Sequence, residues 1–518
     1  MAVAAAAAPR APASRLARLG VAVLAGLAQL AAFPPLDWWW AAPVGVAALL
    51  AVCTGTAGSA WRLAFVAYLV LFLPLLEWIR FLGVAPWLLL CVLQAAIAAV
   101  VGPVLVVALR AAGRPAVVRA VAVVCAFVLV EAVRGRAPFG GLTWGRLAFS
   151  QSDSPLLGWA GIGGAPLVTA ATAATGLGLF VLVRRPPAPH RLTTTALAAA
   201  LACGPALIGA AVHRPVDGRA VTVAAVQGNV PGDGLDAFAE DLVVLDNHLQ
   251  QTERLMSDVE AGRRSRPDLV IWPENVADQD PRTEPQTRAR LGSAVELLGQ
   301  PLLLGALLED DERRSNALLV YGPDGVQQPV YAKKHLVPFG EYLPLRSLVE
   351  RLYPAARTLL ARDFSPGGTV GRLDLQGVPL AVGTCFEVAF DDLPRQAVLA
   401  GGQLLVLPSN NASYGRSAQS AQQLAMARLR AVEHGRATVV ATTSGISALI
   451  APDGRVLART GLYEADVLMG SLPRRTDLTL ATRIGPFVEA GLVTIALLMA
   501  LALTEQGRWR HDERATAG

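Results

Sequence analysis

Apolar residues gather in eight long runs along the chain. Seven lie before residue 213, at about 16–33, 38–57, 61–79, 86–109, 117–133, 155–183 and 193–212, and the eighth lies at about 485–504. Each comes near the ~20 residues that cross a bilayer's hydrocarbon core, so the pattern predicts eight membrane-spanning helices. Between the seventh and eighth runs the pattern changes. Ala220–Gln227 reads as a strand, Ala239–Glu260 as a helix, and Asp268–Trp272 as a strand running into Pro273-Glu274. Further strands are predicted at Pro301–Leu308, Ala317–Tyr321, Val378–Gly383, Leu404–Leu407 and Val439–Thr442. A helix is predicted over Gln419–His434, another from near Asp391, and a hairpin around Pro452-Asp-Gly454. Strands alternating with helices predict an α/β domain. The expected division is a seven-helix membrane domain (1–213), an α/β domain (214–480) and a closing helix with its tail (481–518).

Composition points the same way. The chain is 53% hydrophobic and 16% charged with positive mean hydropathy, which suits a polytopic membrane protein and not a soluble one. Eight spans put both termini on one side. Arg10, Arg15, Arg18 and Arg62, the group from Arg110 to Arg119, the group from Arg184 to Arg191 and the tail arginines Arg508, Arg510 and Arg514 fall on one face. By the positive-inside rule that face is cytoplasmic, and the α/β domain lies outside the cell (inner or plasma) membrane. Arg80, Arg134, Arg136 and Arg146 fall on the other face, and the last three run against the rule. The first run lacks a small-residue cleavage site and is followed at once by another span, so it reads as a retained helix. The net charge of +5 comes largely from the cytoplasmic arginines, which meet anionic lipid and give no reason to expect nucleic acid.

Lys333 and Lys334 are the only lysines, and every other fixed positive charge is arginine. Arginine cannot imitate a compact ammonium whose proton affinity is tuned by burial, so a retained lysine suggests amine chemistry. Alternation along an extended segment puts the two on opposite faces. Cys53, Cys91, Cys125 and Cys203 fall in predicted spans, where they act as small apolar residues. Cys385 alone lies in the α/β domain, without a disulfide partner there. No zinc-ligand cluster, Walker loop or GxGxxG turn is present.

Glu274 and Cys385 each follow the end of a predicted buried strand, and Lys333 ends an extended segment. Such strand ends gather ligands and catalytic groups in open α/β sheets. Taken singly, Cys385 is a nucleophile or an inert core thiol, and Glu274 a general base or an ordinary loop carboxylate. Together a carboxylate, an amine and a thiol supply base, oxyanion stabiliser and nucleophile for acyl transfer through a thioester.

These residues resemble the Glu-Lys-Cys set of the nitrilase superfamily and, within it, the membrane-embedded apolipoprotein N-acyltransferases. Ile271-Trp-Pro-Glu274, Ser315-Asn316, Tyr331-Ala-Lys333, His335-Leu-Val-Pro-Phe-Gly-Glu341-Tyr-Leu-Pro344, Cys385-Phe-Glu387 and Met426-Ala-Arg428 through Glu433-His-Gly-Arg436 look like that family's motifs in order. The resemblance implies seven spans, an extracytoplasmic nitrilase-like αββα sandwich and an eighth span. It implies a ping-pong reaction with catalytic Glu274, Lys333 and Cys385. Cys385 takes the acyl group of a membrane phospholipid, Lys333 holds the oxyanion, and the thioester passes to the α-amine of a diacylglyceryl-cysteine in an apolipoprotein, the last step of lipoprotein maturation. Glu341, Glu387, Asn316 and Phe386 are the implied assisting or substrate-binding residues, and His335 and His434 are implied to be structural. No metal or organic cofactor is implied, and the protein is expected to act as a monomer. Phe386 stands where the family usually has Tyr, and Tyr414 where a Trp-Phe pair is common. Phe238 is the candidate for an aromatic residue expected after Gln227-Gly-Asn229-Val-Pro231.

The stretch from Tyr342 to Leu360 reads either as an amphipathic lid against lipid or as leucines packed on the domain. A membrane-tethered amidase of the same triad, or a catalytically silent lipoprotein-binding scaffold, are the alternative functions.

Overall fold

The computed structural model describes residues 14–110, 114–184, 191–232, 242–310, 312–354 and 356–516. Phe238, Arg10, Arg185 and the predicted helix start at Ala239 lie outside the described residues. The chain forms two compact units, one of residues 1–77, 84–212 and 486–518, the other of residues 78–83 and 213–485.

The first unit is helical: α1 (Arg15–Ala31), α2 (Ala41–Val52), α3 (Ala57–Leu75), α4 (Val84–Ala98), α5 (Val101–Arg110), α6 (Ala116–Arg134), α7 (Ala160–Arg184) and α8 (Arg191–Ala211), with the C-terminal helix Phe487–Thr516 packed on α6. Among the described residues, five helical stretches are long and apolar enough to cross a membrane: Ala57–Leu75, Val84–Arg110, Ala116–Arg134, Pro155–Arg184 and Arg191–Ala211. The sequence pattern overran one element. The run at 38–57 contains a helix of only 12 residues, because it ends at Cys53 and the Thr56 hydroxyl then caps α3 by accepting from Ser59 N at 3.3 Å.

The arginines that run against the positive-inside rule have partners. Arg134 is 2% exposed. Its guanidinium donates to Leu142 O (2.9 Å), Trp144 O (2.6 Å) and Gln94 Oε1 (3.3 Å). Arg146 donates to Glu489 Oε1 of the C-terminal helix at 2.8 Å, and Arg136 pairs with Glu489 Oε2. Nearby, Glu131 accepts from Leu147 N and Thr169 Oγ1, both at 2.7 Å. A buried, paired arginine answers to its local acceptors and carries little weight in a charge count across the membrane.

The second unit is a four-layer α/β sandwich. Its first sheet has the order β12-β1-β2-β3-β4-β5, built from Arg219–Gln227 (β1), Leu269–Ile271 (β2), Leu302–Glu309 (β3), Arg314–Gly322 (β4), Gly325–Ala332 (β5) and Asp466–Arg474 (β12). The second runs β11-β10-β9-β8-β7-β6, from Arg372–Leu375 (β6), Val378–Val382 (β7), Leu404–Ser409 (β8), Thr438–Thr442 (β9), Ala448–Ile450 (β10) and Val456–Arg459 (β11). Alternation along β1 explains the layers. Val221, Val223 and Ala225 join Leu380, Val382, Val406 and Val439 in a core between the sheets. Ala224 and Val226 point the other way, onto α9 (Val243–Glu260) and α10 (Pro285–Leu298) through Leu245, Leu255, Leu291 and Leu298. The short helices α11 (Arg346–Leu352) and α12 (Ala356–Leu359) follow β5. α13 (Asp392–Leu399) packs on β7, α14 (Gln419–His434) on β9, and α15 (Leu480–Ile484) closes the unit.

Candidate active site

Parallel strands β2, β7 and β8 deliver their C-terminal ends to one place. Glu274 lies three residues beyond β2, and its approach to β3 depends on Gly305: a Cβ there would fall 2.4 Å from Glu274 Cα. Antiparallel pairing of β4 with β5 opposes Ala317 to Ala332, so Lys333 N donates to Asn316 O at 2.8 Å. Tyr331 and Lys333, two apart on an extended segment, are both buried, whereas Lys334 between them and the turn is only half-buried. Cys385 opens a one-turn 3-10 helix, Cys385–Ala389, three residues beyond β7, with a φ of 45°. A non-glycine residue in the left-handed region is strained, and such strain gathers at functional turns.

The polar groups converge tightly. Lys333 Nζ donates to Glu274 Oε1 at 2.9 Å and Glu341 Oε1 at 3.0 Å. Asn316 Nδ2 donates to the same two oxygens at 2.7 and 2.8 Å. Glu274 Oε2 accepts from the backbone N–H of Asn410 at 2.8 Å, and Glu341 Oε2 from that of Val337 at 2.8 Å. Two carboxylates are thus held together by one ammonium and one amide. Burial opposes the Lys333 charge, but Glu274 and Glu341 outweigh it and hold the ammonium well above its ordinary value. Burial pushes the Cys385 thiol up, the Glu274 charge adds to that, and Lys333 acts against it. The resting sulfur is therefore a thiol that needs a base at the moment it reacts.

Glu387 has a different environment from Glu274. Its Oε1 accepts from Lys334 N (2.8 Å) and His335 N (3.1 Å), its Oε2 from Thr384 N (2.7 Å), and the Tyr331 hydroxyl lies 2.9 Å from both oxygens. One buried carboxylate thereby ties the lysine loop to the cysteine turn. Burial raises its proton affinity, which Lys333 and the backbone donors oppose. In Glu387→Gln an amide NH2 would face those donors. Acyl transfer is expected to fall about 10- to 100-fold and stability by about 1–3 kcal/mol, read by turnover and by thermal melting in detergent.

The remaining residues take supporting positions. Phe386 is buried and meets Phe390 edge-on at 5.1 Å, and Phe390 stacks flat on His335 at 4.1 Å. His434 is buried against Thr482 Oγ1 at 3.0 Å, and burial holds its pKa well below the usual histidine range. Tyr414 is held edge-on by Trp78 (5.0 Å) and Phe81 (5.4 Å), and burial holds its hydroxyl well above the usual tyrosine range, with Glu274 and Glu341 adding to that and Lys333 acting against it. Sequence reading missed Asn410 and Gln423. Gln423 is a buried amide of α14 that donates to Ser409 Oγ, at the end of β8, at 3.0 Å. Its signal was available: Gln419 and Gln423 stand one helical turn apart on a buried face. Among the described residues no group of three or more His, Cys, Asp or Glu side chains is arranged to hold a metal.

Comparison with known proteins identifies the lineage. Residues 25–178 match the model of the apolipoprotein N-acyltransferase N-terminal domain, and residues 222–477 match that of the carbon-nitrogen hydrolases. The chain is 39% identical to an apolipoprotein N-acyltransferase of Mycolicibacterium smegmatis, over 96% of this chain and 86% of that one. It is 30% identical to one from Chromobacterium violaceum, over 95% and 94%. Among solved structures, an amidase of the nitrilase superfamily from Nesterenkonia AN1 aligns with a TM-score of 0.37 and 19% identity, covering 52% of this chain and 95% of that one. With both domain models matched in order and near-complete relatives on either side of a third identical, the chain belongs to the apolipoprotein N-acyltransferase family.

Proposed function

We propose that this chain moves a fatty acyl group from a membrane phospholipid to the N-terminal amine of diacylglyceryl-cysteine in an apolipoprotein, by a ping-pong route through a Cys385 thioester. The observation that carries this reading is the buried ammonium of Lys333 bound to both Glu274 and Glu341 beside a protonated thiol. Glu274 Oε2 accepts from Asn410 N, and an ionised carboxylate oxygen has room for a second donor, the thiol proton. As sulfur attacks the ester carbonyl, that proton passes to Glu274 and then to the departing oxygen of the lysophospholipid. Lys333 uses two N–H groups on the carboxylates and has a third to give to the oxyanion. In the second half the lipoprotein amine attacks the thioester, gives a proton to Glu274, and sulfur leaves to regain it. Asn316 and Glu341 hold Lys333 and Glu274 in place, and Glu387 fixes the cysteine turn.

In this reading the chain crosses the cell membrane eight times with both termini cytoplasmic, presents the α/β domain outside, and acts as a monomer. The arginine distribution supports the orientation once Arg134 and Arg146 are set aside as buried partners of local acceptors. Lipid-borne substrates also suit the segment after Glu341. Leu343, Ala356 and Leu360 pack into a small core, while Leu345, Leu348, Leu352 and Tyr353 are exposed. Replacing those four by serine is expected to slow transfer from phospholipid at least tenfold while sparing a soluble thioester donor; equal losses with both donors would remove a lid role.

The decisive experiment is mass spectrometry of the protein after incubation with a defined phospholipid. A hydroxylamine-sensitive acyl adduct on Cys385 that persists in water and discharges onto a diacylglyceryl-cysteinyl peptide is the expected result. A reactive thiol that forms no adduct but releases ammonia from amides would indicate an amidase instead.

A further inference from the structure

The turn that carries Cys385 is held from two sides, and Glu387 accounts for only one of them. Phe390 N closes the turn on Glu387 O at 3.1 Å. The next two carbonyls, those of Val388 and Ala389, belong to buried residues, where an unmet acceptor is costly. Arg430 meets both. It stands on the buried face of α14, 0% exposed, where that helix packs against the turn. Its Nε donates to Val388 O at 2.8 Å and its Nη2 to Ala389 O at 3.0 Å. The same guanidinium is ion-paired with Asp391 Oδ1, at the head of α13, at 2.8 Å, and its Nη1 donates to Glu433 Oε2, three residues on along α14. A buried fork shared by two carbonyls and two carboxylates is fixed in position and in plane.

We propose that Arg430 is a positioning residue for acyl transfer: its planar fork fixes the exit of the Cys385–Ala389 turn and so sets where the sulfur stands against Glu274 and Lys333. The inference rests on the reading of Cys385 as the acylated nucleophile. The backbone of Cys385 has a φ of 45°, and a non-glycine residue stays in that region only where its surroundings over-determine it. Glu387 supplies the restraint at the entry, where its Oε2 accepts from Thr384 N at 2.7 Å. Arg430 supplies the restraint at the exit. A one-turn segment fixed at both ends leaves the sulfur little travel. Arginine suits the task because Nε and Nη2 lie along one edge of the guanidinium and can meet two neighbouring carbonyls together, whereas the three N–H groups of a lysine diverge from one atom. These partners lie outside the triad, so Arg430 acts through the turn. It exchanges no proton, and the bonds made and broken remain those of the two acyl transfers. A displacement of about 1 Å at the sulfur is enough to cost about a hundredfold in rate.

Two substitutions separate positioning from stability. Arg430→Lys keeps a positive charge between Asp391 and Glu433 and gives up the edge that holds two carbonyls. Arg436→Lys is the control. Arg436 is also buried, at 1% exposed, and donates to Gly402 O (2.9 Å), Asp477 O (2.7 Å) and Thr476 O (3.2 Å), none of them on the nucleophile turn. The full-length proteins in detergent are compared by thermal melting and by the rates of the two half-reactions, with phospholipid and with a diacylglyceryl-cysteinyl peptide. Acylation of Cys385 by a short-chain p-nitrophenyl ester is followed in parallel by peptide mass spectrometry. Arg430→Lys is expected to lower kcat about 10- to 100-fold in each half-reaction with KM unchanged, and to slow ester acylation by a similar factor. Arg436→Lys is expected to lose a comparable amount of melting temperature and to keep its rates. Natural rates in Arg430→Lys, or equal slowing of both variants, would overturn the proposal, since under a purely structural role rate follows stability. If Arg430→Lys fails to fold, Asp391→Asn decides: it leaves both carbonyls met and removes the charge that steadies Nη2. A fall in kcat of about three- to tenfold at unchanged KM then supports positioning, and natural rates refute it. Should the natural protein take an acyl group from the activated ester but not from phospholipid, the phospholipid reading fails and the ester series decides the role of Arg430. Acylation of Cys385 by neither donor would remove the nucleophile and the proposal with it.

Discussion

Replacing Cys385 by alanine abolishes both half-reactions, and replacing it by serine leaves no more than about one part in ten thousand of the natural rate. The size of the serine effect follows from the site. Burial and the Glu274 charge already push the thiol up, and a hydroxyl begins several units higher still, beyond what one carboxylate can deprotonate. The 3-10 turn itself is held by contacts that do not involve sulfur, namely Thr384 N and the 334–335 backbone on Glu387. Both variants are therefore expected to melt within a few degrees of the natural protein. The check is acyl-adduct mass spectrometry together with a thermal scan. A serine variant that retained a tenth of the activity would argue that Cys385 is not the acylated atom.

Lys333 shows the second large effect, and it divides between chemistry and stability. Lys333→Arg keeps the charge, so Glu274 and Glu341 stay paired and the fold is expected to survive. A planar fork cannot hold two carboxylates at the lysine's positions and still aim one N–H at the oxyanion, and transfer is expected to fall by about a thousandfold. Lys333→Met removes the cation at a position 2% exposed. Two buried carboxylates that share Asn316 Nδ2 then face each other without compensation, at a cost of about 3–5 kcal/mol. Adding Glu341→Gln to Lys333→Met relieves the repulsion and is expected to recover most of the lost stability and none of the activity. Melting temperatures of the single and double variants, with turnover beside them, test the division. A Lys333→Met protein as stable as the natural one would mean that the carboxylates do not depend on the ammonium.

Much of the α/β unit was legible because its signals are local. β1, β3 and α14 fell within a residue or two of the sequence pattern, and α14 matched at both ends. Each buries one continuous face, and burial writes period 2 or 3.6 into neighbouring positions. The order of motifs also brought Glu274, Lys333 and Cys385 together on paper before any distance was known. Other elements had no local mark. β12 was not read as a strand, since only pairing with β1, Arg219 opposite Arg474, makes it one. The 38–57 run looked like a span because hydropathy averages over the Trp-rich turn at 38–40 and the cap at Thr56, whereas the helix obeys its ends.

What the sequence determined by itself is the set of things fixed by composition and short-range order: the apolar runs, the α/β alternation, the lone pair of lysines and the family likeness of the motifs. Tertiary structure alone decided how the charged groups are shared. It made Glu387 the tie between two loops and Glu274 the carboxylate beside the thiol, though both follow strands in similar contexts. It gave Arg134 and Arg146 buried acceptors, and it set the amide of Gln423 between Asn411 and Ser409. The reason is physical. Hydrophobic burial is additive along a chain and leaves a periodic trace, but a hydrogen bond depends on direction and on partners up to a hundred or more residues away, as Glu274 and Asn410 are.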